Sequence, residues 1–173
     1  MYEIRSLAPE ELDEYLASFA ALLQDTVESG ASVGFVPPLA DLDARAYWHG
    51  VRSALGGVNR ILLAAVEHAQ ILGSVQLDLA RQPNARHRAE VMKLMVHRAA
   101  RRRGIGRALM LAVEAAARRA GRTLLVLDTR VGDSAELLYV GLGYARAGVI
   151  PRYALSAAGT LDATVYMYRE LDQ

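Results

Sequence analysis

The spacing of apolar positions predicts two helices in the first third of the chain. Between Pro9 and Val27, apolar residues recur every three or four positions, which places them on one face of a helix. A second helix is predicted over residues 39–55, where two glycines end it. Residues 30–38, GASVGFVPP, break the period with glycines and prolines and are expected to form a loop. Apolar side chains in that loop indicate a binding lip.

The rest of the chain mixes strand and helix patterns. Apolar-rich or alternating segments predict seven strands, at residues 2–7, 61–67, 71–79, 90–96, 123–129, 144–153 and 163–170. Two more helices are predicted over residues 104–120 and 133–142. This order of elements predicts an α/β or α+β layered fold, with residues 1–173 as a single domain.

Two local patterns give more detailed expectations. The segment TLLVLDT, residues 123–129, is almost wholly apolar, which is typical of a central strand buried on both faces. Asp133, followed by Glu136 three residues later, resembles a capping box at the start of the last helix.

Composition and charge exclude several classes of protein. The chain has 173 residues, 53% of them hydrophobic and 23% charged, which excludes a disordered or fibrous protein. A formal net charge of +1 gives no overall attraction to nucleic acid or to anionic membranes. The absence of cysteine excludes disulfides, thiolate metal sites and a cysteine-borne acyl intermediate. The amino terminus lacks a signal-peptide pattern and no apolar run approaches the ~20 residues that span a bilayer, so we expect a cytoplasmic protein.

Residues 96–107, VHRAARRRGIGR, carry the candidate chemistry. They contain five arginines and no acid, and their two glycines lie where a helix is predicted to begin. The first N–H groups of a helix lack internal partners, so such a segment can bind an anion. The alternative is a solvated basic face with glycines that only shape a turn.

Other uses of a basic glycine-rich segment fit less well. A dinucleotide-binding fingerprint needs a third glycine where Leu109 stands, and a P-loop needs Gly-Lys-Ser/Thr where Gly106 is followed by Arg107 and Ala108. DNA recognition is disfavoured because the helix beyond Arg107 is apolar for most of two turns.

Two motifs together identify a family resemblance. Arg101, Gly104 and Gly106 fit the pattern Arg/Gln-x-x-Gly-x-Gly/Ala between an apolar strand and a helix. Farther along, a second set of residues is similar to the signature Leu-Tyr-x-x-x-Gly-[Phe/Tyr]: Leu138, Tyr139, Leu142, Gly143 and Tyr144. The chain therefore resembles the GNAT superfamily of N-acetyltransferases. This resemblance implies a mixed, mostly antiparallel sheet of about seven strands flanked by about four helices, with acetyl-CoA as cosubstrate and no metal.

Three further segments narrow the resemblance to the tabtoxin-resistance group of that superfamily. They are GASVGF at residues 30–35, AEVMKLMV at residues 89–96 and LDT at residues 127–129. The resemblance implies transfer of an acetyl group to the primary amine of a small molecule, such as an amino-acid-like toxin or antibiotic. A non-catalytic acyl-CoA-binding regulatory or interaction module is the alternative.

The resemblance also assigns residues to the cosubstrate and the substrate. Those expected to bind acetyl-CoA are Leu94, Met95, Val96, Arg101, Arg102, Arg103, Gly104, Ile105, Gly106, Arg107 and Ser134. A bulge near residues 94–96 is expected to free a backbone N–H for the developing oxyanion. The substrate-binding candidates are Ser32, Val33, Phe35 and Trp48, with core packing as the alternative for Trp48.

Acetyl transfer to an amine also requires a proton acceptor and a proton donor. An alkylammonium with a pKa near ~10 is mostly protonated at neutral pH, so a base must remove a proton. Glu90 and Asp128, on strands expected to be neighbours, are the candidates, and a structural salt bridge to Lys93 or Arg130 is the alternative. Tyr139 matches the tyrosine that protonates the leaving thiolate in the family, and core packing is its alternative.

The absence of cysteine favours direct attack by the amine in a ternary complex. The four histidines share no spacing typical of a metal site, so no metal is expected. The expected partners are acetyl-CoA and a small amine, with neither nucleic acid nor membrane, in a monomer or a homodimer.

Overall fold

The chain folds around one sheet, as described by a computed structural model covering residues 1–57 and 59–172. Its strands are β1 (Glu3–Ser6), β2 (Arg60–Glu67), β3 (Gln70–Leu79), β4 (Arg88–Val96), β5 (Leu124–Arg130), β6 (Ala145–Leu155) and β7 (Leu161–Glu170). They lie in the order β1-β2-β3-β4-β5-β7-β6, and β4–β5 is the parallel pair in an otherwise antiparallel sheet. The predicted mixed, mostly antiparallel sheet is confirmed.

The described residues form five α-helices, one more than the pattern predicts. They are α1 (Pro9–Glu14), α2 (Leu16–Glu28), α3 (Asp41–Leu55), α4 (Ile105–Arg119) and α5 (Ser134–Gly141). The first periodic segment divides at Tyr15, whose φ of −99° and ψ of 8° leave the helical range. Leu12 and Phe19, on either side of the break, are both fully buried. Because the apolar spacing continues across the break, the sequence pattern does not reveal it.

The two faces of the sheet are covered unequally. Helices α4 and α5 pack on one face and bury residues from β2, β3, β4, β5 and β7, among them Leu77, Leu125 and Met167. Helices α1 to α3 pack on the other face, over strands such as β2, which contributes Leu62 and Ala64. In the part of the chain that the structure describes, no buried residue of this second core comes from β5, β6 or β7. The second face of these three strands is therefore open.

This open face corrects the expectation that residues 123–129 are buried on both sides. Leu125 and Leu127 are buried, whereas Asp128 is exposed and Val126 is half-buried. The prediction of a central position is right and the prediction of two buried faces is wrong, because no helix covers the second face here.

The predicted capping box at α5 is also wrong. The Asp133 side chain does not cap the helix. It accepts hydrogen bonds from the Arg130 guanidinium, at 3.0 Å from Nε and 2.9 Å from a terminal nitrogen. Glu136 reaches back to the backbone N–H of Gly132, at 2.8 Å, rather than to that of Asp133. The arginine at the end of β5 thus competes successfully for the aspartate.

Candidate active site

A cleft opens where the parallel strands β4 and β5 separate. The two strands pair over three positions, of which Glu90 opposite Val126 is the last. Beyond that point β4 continues to Val96 and β5 to Arg130 without pairing with each other, and each strand leads toward a helix, α4 or α5. The carboxyl ends of parallel strands followed by helices are a common place for ligands in layered α/β folds. The candidate site therefore lies at this divergence.

A β-bulge in β4 faces the same region. The register between β3 and β4 shifts, so that Lys93 and Leu94 together oppose Val75. Lys93 has a φ of 54°, in the left-handed region that side chains other than glycine rarely adopt. A bulge leaves backbone groups out of the ladder. Met95, next along the strand, has a buried side chain, so it can offer only backbone to the cleft.

The basic segment forms a tight turn that leads into α4. Arg102 and Gly104 have φ values of 63° and 79°, and Gly104 directly precedes the helix. A Cβ atom added at Gly106 would lie 3.3 Å from Cδ2 of Leu138 and 3.9 Å from Cγ2 of Val96. Gly106 thus allows α4 to approach the end of β4 and α5 closely. The free N–H groups of the first helical turn lie at this same end.

Two of the arginines fasten this segment to α2. The backbone N–H of Arg98 donates to Oδ2 of Asp25 at 2.8 Å, and its guanidinium pairs with the same carboxylate. Arg101 donates to the Ser29 hydroxyl at 2.7 Å and to the carbonyl oxygen of Val96 at 3.2 Å. These side chains hold the turn in place and are already hydrogen-bonded within the protein.

A third arginine of the segment is also bonded within the protein, whereas the remaining two form no ion pair in the described chain. Arg103 donates to both carboxylate oxygens of Glu67, at 2.8 and 3.1 Å, and lowers the pKa of Glu67 to about 2. Arg102 and Arg107 are exposed, and no carboxylate of residues 1–57 or 59–172 lies within 4.0 Å of either. Among the five, Arg102 and Arg107 are therefore the side chains left for an anionic ligand. Ser134 is exposed at the first position of α5.

The two predicted proton acceptors lie on the open face beside the divergence. Glu90 pairs in register with Asp78 on β3, and Asp128 accepts a hydrogen bond from the Thr164 hydroxyl at 2.9 Å. Burial, followed by the negative charges of Asp128 and Asp78, raises the pKa of Glu90. A carboxylate with raised proton affinity is a suitable general base near neutral pH. The sequence did not indicate Asp78, because only the strand pairing brings it there.

The predicted salt bridges of these acids are not formed. No nitrogen of Lys93 or Arg130 lies within 4.0 Å of a carboxylate oxygen of Glu90 or Asp128 in the described chain. Arg130 pairs with two other aspartates, Asp133 and Asp162, across the end of β5. Glu90 and Asp128 are therefore free of direct cationic partners on this face.

Tyr139 lies on α5 with its side chain buried. It is 6% exposed, and its ring centroid is 5.8 Å from that of Tyr144. Burial raises the pKa of Tyr139 well above its ordinary value, and the nearby charge of Asp128 raises it further. The phenol therefore stays protonated and can act as a proton donor.

A cavity of about 750 Å³ adjoins the open face. Ser32 and Phe35 of the predicted lip line it, together with Tyr47 of α3 and Leu155 at the end of β6. The Tyr47 hydroxyl accepts a hydrogen bond from Nε2 of Gln76 at 2.8 Å, which fixes the ring at the cavity wall. The sequence reasoning assigned the pocket wall to the adjacent Trp48 and not to Tyr47.

Two of the predicted substrate-binding residues do not face this cavity. Trp48 is fully buried, with its ring centroid 4.3 Å from that of Phe19, and Val33 is 9% exposed within the same core. The prediction that Trp48 forms a pocket wall is corrected to core packing. Helical spacing puts Tyr47 and Trp48 100° apart, and only the packing of α3 on the sheet decides which one is buried.

Other kinds of site find little support in the described residues. Within residues 1–57 and 59–172, no three His, Cys, Asp or Glu side chains gather closely enough to hold a metal ion. None of the helices that the structure describes is both long and apolar enough to cross a bilayer.

The sequence matches one family model, and the fold is similar to several solved structures. The model of the acetyltransferase (GNAT) family matches residues 16–144. Among similar solved structures, a ribosomal-protein-alanine N-acetyltransferase from Brucella melitensis is 24% identical, with 98% of this chain and 99% of that chain covered and a TM-score of 0.77. An N-acetyltransferase from Staphylococcus aureus Mu50 is 18% identical, with 99% of each chain covered and a TM-score of 0.80.

A third solved structure contains a ligand. It is an acetyltransferase from Salmonella typhimurium described with its cofactor acetyl-CoA, and it is 20% identical. The match covers 100% of this chain and 95% of that chain, with a TM-score of 0.78. At these identities the three structures establish the shared fold.

Proposed function

Because the chain belongs to the acetyltransferase (GNAT) family, we propose that it transfers the acetyl group of acetyl-CoA to the primary amine of a small molecule. One observation carries this proposal. Glu90 and Asp128 lie on the open face beside the divergence of β4 and β5, and the protonated Tyr139 is close enough for the charge of Asp128 to raise its pKa. These observations support a proton acceptor and a proton donor that act on the same substrate.

The residues around the turn fit acetyl-CoA as the cosubstrate. The free N–H groups at the start of α4, and the unpaired Arg102 and Arg107, suit its phosphates. Gly106 has no side chain, so the start of α4 lies close to the end of β4 and to α5. When bound, acetyl-CoA supplies a thioester carbonyl that an amine nitrogen can attack. Arg101 and Arg103 contribute by holding the turn rather than by reaching the phosphates.

In this proposal, different side chains at the cleft accept and donate the protons. Glu90, with its raised pKa, or Asp128 takes a proton from the incoming ammonium, directly or through a water. The backbone at the bulge of Lys93 and Leu94 is placed to donate to the carbonyl oxygen as it gains negative charge. Tyr139 returns a proton to the leaving sulfur. Since the sequence has no cysteine, the amine attacks directly in a ternary complex.

The substrate is proposed to be a small amine that enters through the cavity between the lip and β6. Its volume of about 750 Å³ suits a molecule of amino-acid to drug size. Amino-acid-like amines, including β-lactam toxins, are the first candidates because of the resemblance of residues 30–35, 89–96 and 127–129. The cytoplasmic location, the single domain and the absence of nucleic-acid or membrane partners stay predictions, as does a monomeric or dimeric state.

Calorimetric titration with acetyl-CoA tests the cosubstrate site. Gly106→Leu is expected to abolish binding, because the new side chain meets Leu138 and Val96 at the cleft. Gly50→Leu is the matched control, since Gly50 is an exposed helical glycine with no atom near its Cβ position. Equal binding by both variants would reject the proposed cosubstrate site.

A thiol-release assay with a panel of amines then separates an enzyme from a binding module. We expect release that depends on an amine, with intersecting lines in initial-rate plots. Binding of acetyl-CoA without release in any amine would favour the non-catalytic module, and parallel lines would contradict direct attack.

A further inference from the structure

Lys93 is the single lysine of this sequence. The sequence contains 20 lysine and arginine residues, and all except Lys93 are arginines. Arginine keeps its charge and is not an acyl acceptor under these conditions, whereas a lysine amine can lose its proton and act as a nucleophile. The single side-chain amine of the chain therefore lies in the strand that borders the candidate active site.

The bulge directs this amine toward the lip formed by residues 30–38. Lys93 is in the β4 bulge with a left-handed φ of 54°, and its side chain is half-buried. Its Nζ lies 3.2 Å from the position that a Cβ of Gly34 would occupy, so it spans from the sheet to the lip. Among the described residues, no carboxylate oxygen lies within 4.0 Å of Nζ. The amine is therefore not held in an ion pair.

The groups around Lys93 are those that acetyl transfer to an amine requires. Burial lowers the pKa of Lys93, which increases the neutral fraction. The negative charges of Asp128 and Glu90 raise the pKa of Lys93, whereas the positive charge of Arg60 lowers it. Asp128 is also the acid that influences Tyr139. The charge of Asp128 thus acts on both the amine and the proposed proton donor.

We propose that Lys93 is a self-acetylation site: without an amine substrate, the protein transfers an acetyl group from acetyl-CoA to its own Lys93 Nζ. This inference rests on the proposed function. The Lys93 ammonium gives a proton to Asp128 or Glu90, and Nζ forms a bond to the thioester carbonyl carbon. The carbon–sulfur bond then breaks, Tyr139 protonates the sulfur, and the nitrogen gives its second proton to the Tyr139 phenolate. The products are acetyl-lysine and free coenzyme A, with one proton released to solvent.

Intact-protein mass spectrometry after incubation with acetyl-CoA alone tests this directly. We expect a mass increase of one acetyl group, located to Lys93 by peptide mapping, with a rate constant independent of protein concentration. Lys93→Arg should lose the modification while it keeps a positive charge. The double variant Glu90→Gln, Asp128→Asn should slow it roughly 100-fold, the usual effect of a general base.

A relocated lysine separates self-acetylation from simple chemical reactivity. Arg86 is exposed and precedes β4, whereas the bulge lies in the second half of that strand, so Arg86→Lys adds a surface amine to the otherwise unchanged chain. We expect Lys93 to be acetylated at least about tenfold faster than the new lysine, and faster than Lys93 in the denatured chain. Equal rates, or modification confined to the amino terminus, would overturn the inference.

A readout without acetyl-CoA complements the mass measurement. Because the chain has one lysine, reductive ¹³C-methylation gives a single side-chain lysine resonance, whose pH titration reports its environment. We expect titration below the ordinary lysine value of 10.5. If the protein acetylates small amines while Lys93 stays unmodified, the inference fails and the proposed function stands. If acetyl-CoA does not bind at all, both fail.

Discussion

Replacing Asp25 should loosen the turn that precedes α4. Asp25 lies on α2 with its side chain 10% exposed, and it accepts from both the backbone N–H and the guanidinium of Arg98. His97 lies 3.6 Å from the same carboxylate. Asp25→Ala removes these contacts without touching any residue proposed to meet a ligand. The turn then loses its principal attachment to α2.

The expected loss in the free energy of unfolding follows from the hydrogen bond and the charge interaction that Arg98 loses. The Arg98 N–H is left without a protein acceptor, which typically costs about 1–3 kcal/mol when buried. The Arg98 side chain is 50% exposed, so water recovers much of the charge interaction and adds less than about 1 kcal/mol. We therefore expect a loss of about 2 kcal/mol in the free energy of unfolding, or about 4–8 °C in Tm for a chain of this size.

The same contacts should affect acetyl-CoA binding. If all of that energy holds the turn in its binding conformation, the Kd rises at most roughly 30-fold. Asp13→Ala is the control, because the Asp13–Arg52 pair is similar in type but has side chains 44% and 41% exposed. Urea unfolding and calorimetry measure both quantities. The reasoning is refuted if Asp25→Ala costs no more stability than Asp13→Ala and leaves the Kd unchanged.

Three further predictions concern protons. Tyr139→Phe should slow acetyl transfer by roughly 100-fold or more with acetyl-CoA affinity within a few-fold, measured by thiol release and calorimetry; loss of binding would instead assign Tyr139 to packing. The rate should fall as pH drops through the raised pKa of Glu90, above 4.5, and a pH profile unchanged in Glu90→Gln would contradict its role. The pKa of Glu67 is lowered to about 2, so its stabilisation is complete above pH 4.5 and is lost toward pH 2. Glu67→Gln should flatten that part of the unfolding free energy against pH, and an unchanged slope would rule out this linkage.

The elements of the fold were largely predictable because their signals are local. Apolar spacing gave the strands and helices to within a few residues, and Gly104 and Gly121 marked the limits of α4 through their left-handed φ values. The break at Tyr15 was missed because helix continuity depends on backbone angles that side-chain spacing does not report. The capping box at Asp133 failed because the Arg130 guanidinium donates hydrogen bonds to the aspartate instead.

The candidate site was predictable in its motifs and not in its geometry. The sequence motifs and the family resemblance they carry were enough to nominate the turn at residues 101–106, the acids Glu90 and Asp128, and Tyr139. Which arginines are free could not be read from the sequence, because Asp25 and Glu67 are distant in the chain and only the fold brings them to Arg98 and Arg103.

By itself, the sequence determined the elements, their order and the chemical groups available, since these follow from local spacing and residue type. Only the tertiary structure decided which groups meet. Uneven helix coverage leaves the second face of β5–β7 open, and the divergence of β4 from β5 makes a cleft there. The bulge at Lys93 brings the single lysine amine to the loop at Gly34, while Trp48 turns into the core. Burial and proximity depend on contacts between distant segments, so they arise only when the chain is packed.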